Sequence, residues 1–390
     1  MKSQEVSHLR TWIEIDARAL HHNVETFLRL IPETTRFMAV IKSNAYGHGL
    51  VQVAKLLATL PPTTYNLQPI WFGVDSITEA LRLRREGIKN PLFVLGYTLP
   101  SRLEEAADKN IVLTVSSFDA LKEITPLTQR PIFHIKVDTG MHRQGFLPDQ
   151  TSQLVKLLKL NKLIPGGIYT HFASARDPKD REFTVKQVNT FQEIISCFQD
   201  AGFSHLITHA AASGGTLLFP ESHFDMVRVG MGMYGYWPSE ESKIPFHPPL
   251  PKGERGGFLK PVLTWKTIIS EVKEIPRGSF VGYDGTERVE RNTKLAVLPI
   301  GYWHGYDRGL SSIGEVLAQG KRAKVLGRIS MDMIAVDVTD IPSVKIGEEV
   351  TLIGKNKKET LWADELAGCI GTTQYEFLTR INPLIKRVIV

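Results

Sequence analysis

The chain has 390 residues, 42% hydrophobic and 23% charged, with 47 basic against 41 acidic side chains for a net charge of +6. That length supports a sizeable core and about two domains, and so mild and evenly spread a charge excess speaks against nucleic acid as a partner. Two cysteines, Cys197 and Cys369, supply neither a disulfide framework nor a cysteine-based metal site.

The polar start MKSQEVSHLR lacks the apolar stretch of a signal peptide, and no apolar run approaches the ~20 residues of a membrane span. A cytoplasmic protein without membrane contact is expected. The first strong signal is FMAVIKSNAYGHGL, residues 37–50, an apolar run that ends on Lys42 and passes into small, loop-forming residues. Further apolar runs begin at 71 (WFGVDS), 92 (LFVLG), 111 (IVLTVSS), 132 (IFHIKVD), 166 (GGIYTHF), 205 (HLITHAAAS) and 226 (MVRVGMGMYG). Buried parallel strands read as continuous apolar runs of this kind. Between them VQVAKLLATL, ITEALRLRREG, LEEAADKN, FDALKEI and QLVKLLKL carry helical periodicity. Eight strands with crossover helices predict an α/β chain whose residues 1–238 form a (β/α)8 TIM barrel, with a doubly wound open sheet as the competing reading. Residues 239–260 are rich in Pro, Gly and charge and are expected to be a mobile linker or insertion. Residues 261–390 change to short strands punctuated by Gly, Pro and Asp, so a mostly-β C-terminal domain is predicted.

Polar residues gather where the barrel strands end. Lys42 ends the first, Asp138 and Arg143 follow the fifth, His171 lies near the end of the sixth and Ser213 ends the seventh, while Arg228 sits in the eighth just before Gly230. Barrel enzymes assemble their sites at that face. Burial can lower a lysine by up to ~3–5 pKa units, which is harmful in a core and useful for an amine nucleophile, so Lys42 is expected to be buried and reactive. Ser213 with Gly214 and Gly215, and the GMG at 230–232, are small segments able to offer backbone N–H groups to a phosphate. An amine beside a phosphate cradle points to pyridoxal 5'-phosphate held as a Schiff base. Taken singly, Tyr46, His171 and Ser213 also read as satisfied core or turn residues, and Arg143 and Arg228 as structural ion pairs.

The segments AVIKSNAYGHG, HIKVDTGMHRQG, YTHFASA, MVRVGMGMYG, VGYDGT, LPIGYWHGYDRG and GRISMDM resemble, in order, the signature segments of the bacterial alanine racemase family. The resemblance runs from about residue 11 to the C-terminus, apart from the linker. It implies a pyridoxal-phosphate-dependent enzyme that interconverts L- and D-alanine by a two-base mechanism and supplies D-alanine for peptidoglycan. Lys42 would be the Schiff-base lysine and one base, and Tyr283 the other. Tyr46, Ser213, Gly230 and Met231 would hold the phosphate, His171 would lie against the cofactor ring, and Arg228 would face the ring nitrogen. Arg143 and the Met331 backbone would bind the substrate carboxylate. Lys136 stands where the family often carbamylates a lysine, and Tyr302 and Tyr306 where it lines its access channel. The resemblance also implies a homodimer whose active sites are shared between subunits, and no metal. Ala212, Ser330, His304 and Pro383 depart from the family pattern, which more commonly has Asn, Cys, Asp and Tyr there. Two rival readings are a related amino-acid racemase or decarboxylase and a non-catalytic pyridoxal-phosphate carrier; the second domain bearing Tyr283 speaks against the carrier.

Overall fold

The computed structural model of the protein describes residues 6–60, 68–177, 181–239, 242 and 259–390. The expected linker at 239–260 lies outside the described residues except for Ser239, Ser242, Leu259 and Lys260. Two compact units emerge, one from residues 18–45 and 53–260, the other from the residues up to Ala17, 46–52 and 261–390.

The first strand, β1 (Thr11–Ile15), belongs to the second unit although it lies within the stretch expected to form the barrel. In its five residues TWIEI, Trp12, Ile13 and Ile15 are buried while Thr11 and Glu14 are half-buried. The next eight strands close a parallel ring: β2 (Arg36–Val40), β3 (Trp71–Val74), β4 (Leu92–Val94), β5 (Ile111–Val115), β6 (Phe133–Lys136), β7 (Gly167–Tyr169), β8 (Ile207–Ala212) and β9 (Met226–Val229). Closure is made by β9 pairing back on β2, Arg36 opposite Met226 and Ala39 opposite Val229. The barrel therefore supersedes the open-sheet alternative. β5 is buried at every position and β2 at all but one, as strands covered on both faces must be. Met38, Phe93, Val112, Tyr169 and Met226 pack together against Trp71, Leu95 and Ile207. Each fully buried side chain of that size contributes roughly 1.5–3 kcal/mol. Serine caps turn the chain into the crossover helices: the Ser76 hydroxyl accepts from Glu79 N at 3.4 Å and Ser117 from Ala120 N at 3.2 Å.

The second unit is mostly β, as predicted. Its strands are β10 (Leu263–Ile268), β11 (Glu271–Ile275), β12 (Phe280–Val281), β13 (Glu287–Arg288), β14 (Thr293–Leu298), β15 (Glu315–Ala318), β16 (Lys321–Leu326), β17 (Ile334–Asp337), β18 (Glu349–Asn356), β19 (Glu359–Leu361) and β20 (Arg387–Ile389). The main sheet runs β11-β14-β17-β16-β15-β18-β10-β1-β20, with β19 on β18. β1 lies antiparallel to β10, Thr11 opposite Thr267, and parallel to β20, Ile13 opposite Arg387. Among the described residues no helix is long and apolar enough to cross a membrane.

Candidate active site

Lys42 leaves the end of β2 into a left-handed turn. Ser43, Asn44, Ala45 and Tyr46 all have positive φ, from 52° to 56°, and none is glycine. L-residues in that conformation cost roughly 1–2 kcal/mol each, so the turn persists only because its surroundings impose it. Glu79 is one restraint: its carboxylate accepts from Asn44 N at 3.2 Å and from Asp75 N at 2.9 Å, tying together the loops after β2 and β3. The expectation of a buried Lys42 fails, because the residue sits two residues past the end of β2 at Val40. Its side chain is 36% exposed, and its only ion-pair partner among the described residues, Asp75 Oδ1, is 4.0 Å away.

The buried lysine is Lys136, at the end of β6. It is 6% exposed, its Nζ donates to Gln144 Oε1 at 3.1 Å and lies 5.6 Å from the centre of the Tyr169 ring. Burial, reinforced by Arg143 and Arg228, pushes its ammonium down to about 8. The loop that follows is built on Asp138, whose Oδ1 accepts from Gly140, Met141 and His142 N and whose Oδ2 accepts from Arg143 N, at 2.9–3.0 Å. Burial alone would raise that carboxyl, but these backbone bonds carry it below its ordinary value. Asp138 N to Phe146 O and Phe146 N to Lys136 O, at 2.8 and 2.9 Å, close the loop and present Arg143 at its exposed tip.

Arg228, in β9, is 3% exposed and cationic, held down to about 10 by burial. Its Nη2 donates to Thr170 O and Ala210 O at 2.8 Å and lies 3.2 Å from His171 Nδ1; its Nη1 lies 2.9 Å from His209 Nδ1. His209 Nε2 is in turn 2.8 Å from His134 Nδ1, and the His209 ring stacks on Tyr169 at 4.6 Å. Burial first, then the nearby Arg228, depresses His171 and His209 well below the ordinary imidazole value and His134 to about 3. All three rings are neutral near pH 7, and among the described residues no carboxylate bonds Arg228. Burial also pushes the Tyr169 phenol up to about 12, and with Thr114 Oγ1 donating to Val94 O, Tyr169 donates to Thr114 at 2.8 Å.

Ser213 opens the short helix Ser213–Leu218 after β8, and its Oγ accepts from Gly230 N at 3.0 Å and Gly232 N at 3.3 Å. That commits the Gly230 amide and leaves the serine O–H free to donate. The neighbouring glycines are fixed by close approach: a Cβ on Gly214 would stand 2.2 Å from Ala175 O, and one on Gly232 2.4 Å from Phe27 Cζ. The barrel unit thus brings Lys42, Lys136, Arg143, His171, Ser213, Arg228, Gly230 and Met231 to the strand ends. The cations outnumber Asp75 and Asp138, which suits an anionic ligand.

The remaining predicted residues lie in the second unit. The Tyr46 ring meets Tyr375 edge-on at 6.1 Å. Tyr283 begins a tight turn in which Gly282, Asp284 and Gly285 have φ of 77°, 62° and 57°, and Asp284 pairs with Arg328 at 2.9 Å. Tyr283 is 66% exposed, Tyr302 42% and Met331 54%. Tyr306 corrects the expectation of an access-channel residue: it is fully buried, its O–H donates to Glu315 O at 2.9 Å and its ring packs on Trp265. His304 accepts from Gly301 N through Nδ1 at 3.2 Å, a bond that a carboxylate at this position would also accept.

Profiles of two protein families match this chain: "Alanine racemase, N-terminal domain" over residues 15–238 and "Alanine racemase, C-terminal domain" over 262–389. An alanine racemase of Leptospira interrogans (serovar Lai) is 37% identical over 382 residues, covering 97% of this chain and 96% of that one. The chain belongs to the alanine racemase family. Two solved structures extend the likeness. Alanine racemase from Bacillus anthracis with bound L-Ala-P has a TM-score of 0.87 at 34% identity, over 98% of this chain and 95% of that one. Alanine racemase from Bartonella henselae with covalently bound pyridoxal phosphate has a TM-score of 0.83 at 27% identity, over 98% and 99%. The enzyme is therefore an amino-acid racemase of a family that uses pyridoxal phosphate. His134 and His209 went unnoticed in the sequence of this racemase because each stands inside a mostly apolar run, before the strand end where site residues gather.

Proposed function

We propose that this racemase interconverts L- and D-alanine with pyridoxal 5'-phosphate carried on Lys42, Lys42 and Tyr283 acting as the two proton carriers. The observation that carries this reading is the environment of Arg228, a buried cation bonded to neutral imidazoles and carbonyls. The barrel residues fit the cofactor: a half-exposed amine at Lys42, a free serine O–H and the Met231 N–H for a phosphate, and glycines at 214 and 232 where a Cβ would intrude. When bound, pyridoxal phosphate supplies an aldehyde for the amine and a conjugated ring that draws off the electron pair left at Cα.

Inversion at Cα removes a proton from one face and returns one to the other, so two carriers are required. Each general base is typically worth ~10²–10⁴ in rate. Lys42 Nζ and Tyr283 Oη hold those protons, with His171 between Arg228 and the reacting groups. Arg228 keeps its own proton up to about pH 10 and so donates a hydrogen bond to a ring nitrogen without protonating it. That restrains the electron sink and keeps the reaction to proton transfer. Tyr46 joins the phosphate set, and Arg143 and the Met331 N–H bind the substrate carboxylate. Burial holds the Lys136 ammonium down to about 8. Once it has lost that proton to solvent, its nitrogen bonds the carbon of CO2 and releases a second proton to solvent, leaving a carbamate anion that anchors Arg143. Tyr302 borders the access channel.

Tyr283 reaches the site of a second subunit in a homodimer with shared active sites. The exposure of Phe280, Tyr283, Trp303, Ile313, Met331 and Met333 supports burial against such a partner. The barrel domain ends at 238, residues 239–260 link it to the second domain, and the enzyme works in the cytoplasm, supplying D-alanine for peptidoglycan. Chiral analysis of alanine incubated with the loaded enzyme tests the reaction, run beside a panel of other amino acids scored for inversion and CO2 release. Inversion of alanine is expected, together with a borohydride-fixed cofactor on Lys42 that the Lys42→Ala variant lacks. Faster decarboxylation than inversion, or fixation on another lysine, would overturn the assignment.

A further inference from the structure

We infer that Arg387, close to the C-terminus, is a positioning residue for Lys42, gripping the far end of the left-handed turn through the Gly47 carbonyl. The inference rests on the reading of Lys42 as the cofactor lysine. Arg387 is 7% exposed. All five of its N–H donors are used, and every acceptor is a backbone carbonyl. Nε and Nη2 converge on Gly47 O at 3.1 and 2.8 Å, the second Nη2 donor reaches Ile381 O at 3.5 Å, and Nη1 takes Asn382 O at 2.8 Å and Ile385 O at 2.5 Å.

Among the described residues no carboxylate compensates the charge, and burial alone lowers Arg387 to about 10. A buried cation without a counter-ion is a poor device for stability. What it offers here is geometry: a rigid planar fork with five donors, which lysine cannot reproduce. The fork acts where the chain needs restraint. Gly47 has φ of +87°, and a Cβ there would stand 2.2 Å from Leu378 O, so the turn is seated against the helix Gln374–Thr379. Glu79 pins Asn44 at one end and Arg387 pins Gly47 at the other, with the left-handed residues Ser43–Tyr46 overlapping the span between them. Released at Gly47, those residues relax toward ordinary φ, and the backbone that aims Lys42 turns with them.

The test compares Arg387→Lys, which keeps the charge and loses the fork, with Arg291→Lys at an exposed ion pair of the same unit. Hydrogen exchange is followed in the cofactor-free protein, and borohydride fixation on Lys42 is titrated with pyridoxal phosphate. For Arg387→Lys, exchange across residues 43–49 is expected to quicken about 10- to 100-fold while β14–β17 stays protected, and half-saturation of fixation to rise by a similar factor. Arg291→Lys is expected to change neither. Unchanged exchange at 43–49 would overturn the inference, as would a uniform loss of protection with a lowered unfolding midpoint, which marks a merely structural arginine. A wild-type protein that fixes no cofactor on Lys42 would instead overturn the functional reading, and with it the role assigned to Arg387.

Discussion

His209 accepts a hydrogen bond from Arg228 on one side of its ring and donates to His134 from the other. The Nη1–Nδ1 and Nε2–Nδ1 distances are 2.9 and 2.8 Å. A guanidinium has no acceptor, so the tautomers follow in sequence: the His209 proton lies on Nε2 and the His134 proton on its own Nε2. That last N–H is buried without a partner, which marks the end of the chain. His209→Leu removes the acceptor and strands one N–H of a buried cation. The expected result is a fall in kcat of about 10- to 100-fold with little change in KM. Steady-state kinetics checks it, and an unchanged kcat would show that Arg228 is held well enough by Thr170 and Ala210 alone.

Lys136 makes stability depend on pH in a definite direction. Between about 8 and 10.5 the unfolded chain still holds the proton that the native lysine has lost. The unfolded state then binds more protons, so stability rises with pH across that window and the burial penalty is complete below it. In CO2-free buffer, the wild type is expected to gain up to ~3 kcal/mol from pH 8 to 10.5 relative to Lys136→Met. Denaturant titrations at the two pH values measure the difference. With CO2 supplied as the carbon-13 form, a carbamate NMR signal is expected from the wild type and none from Lys136→Met.

Gly167 is fixed by the histidine pair. A Cβ there would lie 2.5 Å from Ile207 O and 2.6 Å from His134 Nδ1. Gly167→Ala is expected to destabilise the barrel by about 1–3 kcal/mol through overpacking and to disturb Arg228 through the displaced imidazoles. Equilibrium unfolding with parallel kinetics would show both losses; loss of stability at full activity would separate the glycine from the site.

The proposal of active sites shared between subunits makes a quantitative prediction. Lys42→Ala and Tyr283→Ala are each expected to be inactive alone. When subunits exchange at random, half of the dimers are mixed and one of their two sites is intact, so about a quarter of normal activity returns. Mixed dimers confirmed by mass labelling but lacking activity would place Tyr283 in the same chain as its lysine.

The barrel was legible because its strands are short, apolar and regularly spaced, as in LFV and IVLTV. β1 escaped notice because TWIEI is brief and interrupted by Glu14, and both its partners lie far along the chain. KSNAY gave no sign of a left-handed turn: of its four positive-φ residues only Asn44 is of a type that readily accepts that conformation. Lys42, expected to be buried, is half-exposed, although it follows an apolar run just as the buried Lys136 ends one. What distinguishes them is the loop beyond, which folds back at Phe146 over Lys136 and leaves Lys42 at an open end.

The placement of β1 sets a timetable. Thr11–Ile15 leave the ribosome early, yet their neighbours are Leu263–Ile268 and the closing residues Arg387–Ile389. At ~5–20 residues per second, roughly 10–50 s of synthesis separate β1 from β10. During that interval a strand with two open edges waits unpaired while the barrel sequence emerges behind it, exposed to any partner that offers a ladder. β20, made later still, then closes the far side of β1 and delivers Arg387 within its own strand. In such a chain the Lys42 turn is made early and its Gly47 end is gripped only after β20 has been made.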